Sequence, residues 1–151
     1  MENCCFIGHR FLKKGQRRGV KRKLRATIEG LIQQGVTSFI CGGNRGFATI
    51  AGLIVWDLKE RHSDVRLIML LPYHDYRAVG YEISFAKLLA AADEVVYTAK
   101  EYYFGCRQHR NMRMLESCTY LVAYVLGDRR GMLNVADELG LKVINLAHVS
   151  Q

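Results

Sequence analysis

Short apolar runs alternate with longer amphipathic stretches along the whole chain. Runs suited to buried strands fall at Cys4 to Ile7, Ser38 to Cys41, Arg66 to Leu71, Glu94 to Tyr97, Tyr120 to Leu126 and Lys142 to Leu146. Val20, Leu24, Ile28, Leu31 and Ile32 recur at helical spacing, with Lys21, Arg22 and Arg25 on the rest of the circumference, predicting a helix over about residues 17–34 that Gly35 ends. Ile50, Leu53, Ile54 and Leu58 predict a second helix from about Asn44 to Arg61. Further helices are expected at Tyr81 to Ala91, Cys106 to Ser117 and Gly131 to Gly140. Six strands alternating with five helices predict an α/β chain: a three-layer Rossmann-like fold, with a mainly parallel sheet of about six strands and helices on both faces. Ligands of such sheets bind beyond the carboxyl ends of the strands, where the strand order reverses.

Composition narrows this picture without redirecting it. The chain has 151 residues, half of them hydrophobic, with one proline, Pro72, and no repeat or low-complexity stretch, so a single domain over residues 1–151 is expected. The five cysteines, Cys4, Cys5, Cys41, Cys106 and Cys118, form no CxxC pair. Together with charges from Arg10 onward and apolar runs too short for a membrane span, they predict a cytoplasmic protein with reduced thiols and no membrane partner. Residues 1–25 hold nine Lys or Arg against one acid, Glu2, and the remainder is balanced, so the whole net charge of +8 lies in that segment. Such a segment suits nucleic acid, a small anionic ligand, or simply a solvated helix face.

Four segments carry candidate chemistry. The first strand runs into Gly8-His9-Arg10, where the glycine allows close approach and the arginine offers a fork for phosphate or carboxylate. His9 is either a local hydrogen-bonding residue or a catalytic acid–base group. The second strand runs into Cys41-Gly42-Gly43-Asn44-Arg45-Gly46-Phe47, a glycine-rich strand-to-helix turn able to cradle an anion on backbone N–H groups. It lacks both the GxGxxG pattern and the Lys-Ser/Thr of a P-loop, and no metal-ligand spacing is present, so no metal or cofactor is expected. Arg107 and Arg110, three apart, share a helix face near Asn111; they either converge on one anion or form a solvated face paired with Glu101 or Glu116. Tyr102, Tyr103 and Phe104 either stack on a base or pack as an ordinary loop. The last strand-to-helix turn, Gly127-Asp128-Arg129-Arg130-Gly131, is placed to close over a phosphate.

CCFIGHR at Cys4 to Arg10, CGGNRGF at Cys41 to Phe47, GCRQHRN at Gly105 to Asn111 and the GDRRG turn together resemble the YpsA-like branch of the SLOG superfamily. That superfamily includes the LOG phosphoribohydrolases and the Rossmann domain of the DNA-processing protein DprA. The resemblance covers nearly the whole chain in order. It implies a Rossmann-like fold and a nucleotide-derived ligand held by residues matching Gly8, Arg10, Gly42, Gly43, Gly46, Arg110 and Asn111, and pairing of two chains through helices as in LOG relatives. Ala48 stands where relatives usually carry an acid, and Leu53 near another such place. The GGxGTxxE turn of LOG enzymes is replaced by DRRGMLNV, without its threonine or glutamate.

These observations order the readings. The first is binding or sensing of a nucleotide or nucleotide-derived phosphate ligand, by Gly8, Arg10, Gly42, Gly43, Asn44, Arg45, Gly46, Arg110, Asn111, Arg130 and Gly131. The second is LOG-like cleavage of a nucleoside monophosphate, for which His9, Asp128 and Asp75 are the acid–base candidates. The third is DprA-like nucleic-acid binding through Arg10 to Arg25, against which stands the plain reading of that segment as a soluble helix face.

Overall fold

Strands buried on both faces need apolar side chains on both, and the central segments Ser38–Cys41 and Tyr120–Tyr124 are buried at every position. The computed structural model describes residues 2–77, 82–127 and 131–148. Its elements alternate as expected: β1 (Asn3–Gly8), α1 (Arg17–Gln33), β2 (Ser38–Cys41), α2 (Phe47–Lys59), β3 (Arg66–Leu71), α3 (Glu82–Ala91), β4 (Glu94–Tyr97), α4 (Cys106–Glu116), β5 (Tyr120–Tyr124), α5 (Gly131–Glu138) and β6 (Lys142–Asn145), followed by a 3₁₀ turn at Leu146–His148. All pairings are parallel, in the order β4-β3-β2-β1-β5-β6. The fold is the α/β Rossmann-like arrangement, with a fully parallel sheet of six strands.

Two apolar clusters flank the sheet. The larger packs Val20, Leu24 and Ile28 of α1, Val55 and Leu58 of α2 and Leu88 of α3 against Phe6, Phe39 and Leu67. The smaller packs Met114 and Leu115 of α4 and Leu133 and Ala136 of α5 against Cys5, Leu121 and Ala123. Burying a side chain of this kind stabilises by about 1.5–3 kcal/mol, and alternate strand residues supply one cluster or the other. The predicted stripe of α1 is therefore its core face, and Arg25 on its flank reaches Asp57 of α2 at 2.9 Å. The cysteines form no disulfide, and Cys4, Cys5, Cys41 and Cys106 are buried. Among the described residues, no helix is long and apolar enough to cross a membrane.

Two boundaries differ from the sequence expectation for identifiable reasons. α2 begins at Phe47 rather than Asn44, because Gly43 and Gly46 have φ of +80° and +82°, outside any right-handed helix. β5 ends at Tyr124 rather than Leu126, where its partner β1 also ends, at Gly8. Beyond that point the Val125 N–H donates to Asn145 Oδ1 at 3.1 Å and the Leu126 N–H to His9 Nε2 at 2.8 Å, so side chains take over from the ladder.

Candidate functional site

The strand order fixes where a ligand-binding crevice must lie. From β1 the chain steps outward through β2, β3 and β4, then returns to the other side of β1 to lay down β5, so the turns after β1 and β5 diverge. Between them is a cleft of about 500 Å³ lined by His9, Arg10, Phe11, Lys13, Gln16, Leu126 and Gly127. A neighbouring hollow of about 310 Å³ is lined by Gly8, His9, Val125 and by Gly131, which opens α5. Arg130, with Asp128 and Arg129, lies outside the described residues.

The β1–α1 and β2–α2 turns are locked together. The Phe47 N–H donates to the His9 carbonyl at 3.1 Å. A side chain at Gly46 would strike the backbone of Arg10, and one at Gly8 would strike the Phe47 ring, so both glycines are places of close approach. Arg45 lies with its guanidinium carbon 4.3 Å from the centre of the Phe11 ring, itself 70% exposed. His9 accepts through Nε2 from Leu126 and stacks edge-on to Tyr124 at 6.0 Å, which places the hydrogen of the neutral ring on Nδ1. The imidazole thus ties the β1 turn to the β5 turn.

The glycine-rich turn is held from beneath. Arg110, on the second turn of α4, is 1% exposed, and its guanidinium donates to the Gly42 carbonyl, to Asn44 Oδ1 at 3.3 Å and, through Nε, to Asn111 Oδ1 at 2.8 Å. The sequence reading placed this arginine directly on the phosphate; the structure places it under the turn, with donors committed to it. Asn111 orients the guanidinium. Burial pushes the Arg110 guanidinium down to about 10, helped by the Arg107 and Arg10 charges, while Tyr76 and Cys106 oppose the shift. The Arg107 guanidinium lies over the Tyr76 ring at 5.7 Å, and its Nε is buried without a partner among the described residues.

Tyr76 and Thr49 escaped the sequence reading. The Tyr76 hydroxyl shares its one hydrogen between two acceptors, Asn44 Oδ1 at 3.3 Å and the Gly43 carbonyl at 3.5 Å, and Thr49 Oγ1 donates to the Asn44 carbonyl at 2.8 Å. Tyr76 comes from the turn after β3, and no local motif marks it. Asp75 beside it is exposed and faces His74 at 3.4 Å, outside the cleft.

Several helix N-termini gather on this rim, each equivalent to a partial positive charge. The N-termini of α1, α2, α4 and α5 all open there, and none carries an acidic residue in its first turn. Among the described residues the ion pairs are Arg25–Asp57, Lys59–Asp93 and His74–Asp75, none of which includes Arg10, Arg107 or Arg110. No group of three or more His, Cys, Asp or Glu side chains clusters there in a way that could hold a metal ion, again among the described residues.

Comparison with known proteins agrees with this architecture. A UPF0398 protein of Halalkalibacterium halodurans is 32% identical over 94 residues, covering 60% of this chain and 50% of the relative, so the match spans about half of that protein. The X-ray structure of TM1055 superposes with a TM-score of 0.58 at 17% identity, covering 95% of this chain and 72% of that one, and shows the same fold. The family model described as the YspA SLOG family matches residues 11–134, most of the chain, taking in the glycine-rich turn and α4 but not Gly8, His9 or Arg10. The chain therefore belongs to the YpsA family of SLOG proteins.

Proposed function

We propose that this protein binds a phosphate-bearing, nucleotide-like ligand on the carboxyl rim of the sheet, in the cleft between the β1 and β5 turns. One observation carries this reading. The charges of Arg10 and Arg107 both bear on the buried Arg110 guanidinium, beside four helix N-termini, and no carboxylate among the described residues is paired with any of the three. Like charges gathered without counter-charge raise the energy of the empty site, and an arriving anion relieves it. The cleft's volume is within the range of small-molecule sites. Arg10, which is exposed at its mouth, is the direct phosphate contact, with Lys13 beside it. Phe11 and Leu126 offer apolar surface to the rest of the ligand.

Binding without turnover is the reading the site favours. Cleavage of a glycosidic bond needs an acid or base free to move a proton, and the acid–base side chain described in the cleft, His9, uses Nε2 to hold the β5 turn. Mass spectrometry of small molecules that copurify with the protein tests the ligand class directly. A nucleotide or nucleotide derivative is expected, and Arg10→Ala should purify without it. Calorimetric titration showing no saturable binding of any nucleoside phosphate would overturn the reading, and release of free base from a nucleoside monophosphate would transfer it to the hydrolase.

A further inference from the structure

Three consecutive carbonyl groups of the glycine-rich turn are each taken by a side chain from a different element. Gly42 O accepts from Arg110 of α4, Gly43 O from Tyr76 of the turn after β3, and Asn44 O from Thr49 of α2. A trans peptide unit carries its C=O and N–H on opposite sides. Fixing the Gly42 carbonyl on Arg110 therefore directs the Gly43 N–H away from Arg110, and fixing the Gly43 carbonyl on Tyr76 directs the Asn44 N–H away from Tyr76. Among the described residues, neither of these N–H groups donates to a backbone carbonyl. Successive N–H groups presented in this way, with Gly43 at φ +80°, form a concavity suited to an anion.

We propose that Tyr76 is the positioning residue of this turn: its hydroxyl, held between Asn44 Oδ1 and the Gly43 carbonyl and acting with Arg110 and Thr49, sets the carbonyls inward so that the Gly43 and Asn44 N–H groups are turned out as donors for an anion. The inference rests on the proposed anion reading and adds, beside the Arg10 cleft, the backbone donors of the neighbouring β2–α2 turn, which the Phe47 N–H to His9 carbonyl bond joins to the β1 turn. The Tyr76 ring closes the arrangement from the side, since a side chain at Gly43 would come within 3.3 Å of it. It is buried, edge-on to Tyr73 at 5.6 Å and to Phe85 at 5.8 Å, with Arg107 over its face. A phenylalanine keeps all of these contacts and loses only the hydroxyl.

Tyr76→Phe in the full chain is therefore the test, read in two ways. The first needs no ligand: the backbone ¹⁵N order parameters of Gly43 and Asn44 should fall from about 0.85 to below about 0.6, while those of β2 stay unchanged. The second is calorimetric titration with AMP and with inorganic phosphate, in which both affinities should weaken about tenfold, equivalent to ~1.4 kcal/mol. Arg10→Ala serves as the contrast, losing affinity with the order parameters intact. Unchanged order parameters in Tyr76→Phe would overturn the proposal, as would a loosened turn that binds both probes as tightly as the wild type. If the wild type binds neither probe, the failure is that of the anion site, and the order parameters still decide whether Tyr76 sets the turn. Should Tyr76→Phe not fold, Thr49→Val removes the neighbouring clamp and should lower the Asn44 order parameter in the same way; an unchanged value would overturn the clamp.

Discussion

Replacing Gly46 by alanine should be among the most damaging single-methyl additions to this protein. Gly46 sits at φ +82°, ψ −127°, a region open essentially to glycine, so an alanine there costs about 1–3 kcal/mol in backbone strain. Its Cβ would also fall on the Arg10 carbonyl group and within 2.6 Å of the His9 carbonyl oxygen. Both obstacles are backbone, so no side-chain rotation relieves them. The β1–α1 turn must shift as a whole, an overpacking cost of about 1–3 kcal/mol. That shift also breaks the 3.1 Å bond from the Phe47 N–H to the His9 carbonyl, worth about 0.5–1.5 kcal/mol. Together these come to about 2.5–7.5 kcal/mol, against a total stability of about 5–15 kcal/mol for a domain. In urea, at a slope of about 2 kcal/mol per molar, the unfolding midpoint should fall by about 2 M. Gly30→Ala is the control, since its added methyl meets nothing within 4 Å inside α1. It should raise the midpoint slightly, by the ~0.5–1 kcal/mol that separates alanine from glycine in a helix. A Gly46→Ala midpoint within about 0.3 M of the wild type would refute the claim that the two turns are locked by close backbone approach.

Two further outcomes follow from titratable groups. Partial burial would raise the Asp93 carboxyl, but the Leu67 N–H and Lys59, at 2.8 and 3.0 Å, outweigh it and hold the carboxyl below its ordinary range. Its contribution is then present above the unfolded carboxylate value and lost as pH falls through the lower folded value, so Asp93→Asn should flatten the acid limb of urea midpoint against pH; an acid limb parallel to the wild type would refute this. Burial pushes the Cys41 thiol up to about 12 and raises Cys4, while Cys5 is raised first by its hydrogen bond with Cys118 and then by burial. A thiol reagent at pH 8 should accordingly modify the half-buried Cys118 first and all five cysteines only after unfolding; rapid native reaction of three or more would contradict the packing of β1 and β2.

The fold was legible because its signal is repeated. Each strand shows an uninterrupted apolar run, and the stripe Val20, Leu24, Ile28 and Leu31 is buried as a unit in α1. The glycines of the turns were legible as well, because positive φ and close approach leave few alternatives to glycine at Gly43 and Gly46. What could not be read was the direction of each long side chain. Arg110 has the residue type and spacing of an anion ligand, yet it points beneath the turn, since Gly42 leaves room for the guanidinium where a Cβ would lie 3.0 Å from it. Tyr76 was invisible for a related reason: its partners Gly43 and Asn44 are 33 and 32 residues away, and only the pairing of β2 with β3 brings them together.

The surplus positive charge separates a small ligand from a long one. Helix α1 has 17 residues, and at about 1.5 Å per residue Arg25 stands about 12 Å along the axis from Arg17. That exceeds the Debye length of about 8 Å at physiological salt, and Arg25 is paired with Asp57 at 2.9 Å. A ligand held at Arg10 and Lys13 therefore draws on the charges around the β1 turn, and the outer face of α1 contributes mainly hydration. A single-stranded oligonucleotide laid along α1 would engage Arg18, Lys21, Arg22 and Lys14 as well, six contacts in all, and at about 0.7 per phosphate contact its log affinity should fall against log salt with a slope near −4. AMP and an oligonucleotide titrated between about 50 and 200 mM salt distinguish the two cases. The rim site predicts a slope for AMP no steeper than about −1 and weak oligonucleotide binding. A tight oligonucleotide complex with the steep slope, unaffected by Arg10→Ala, would mean that α1 rather than the cleft is the functional surface.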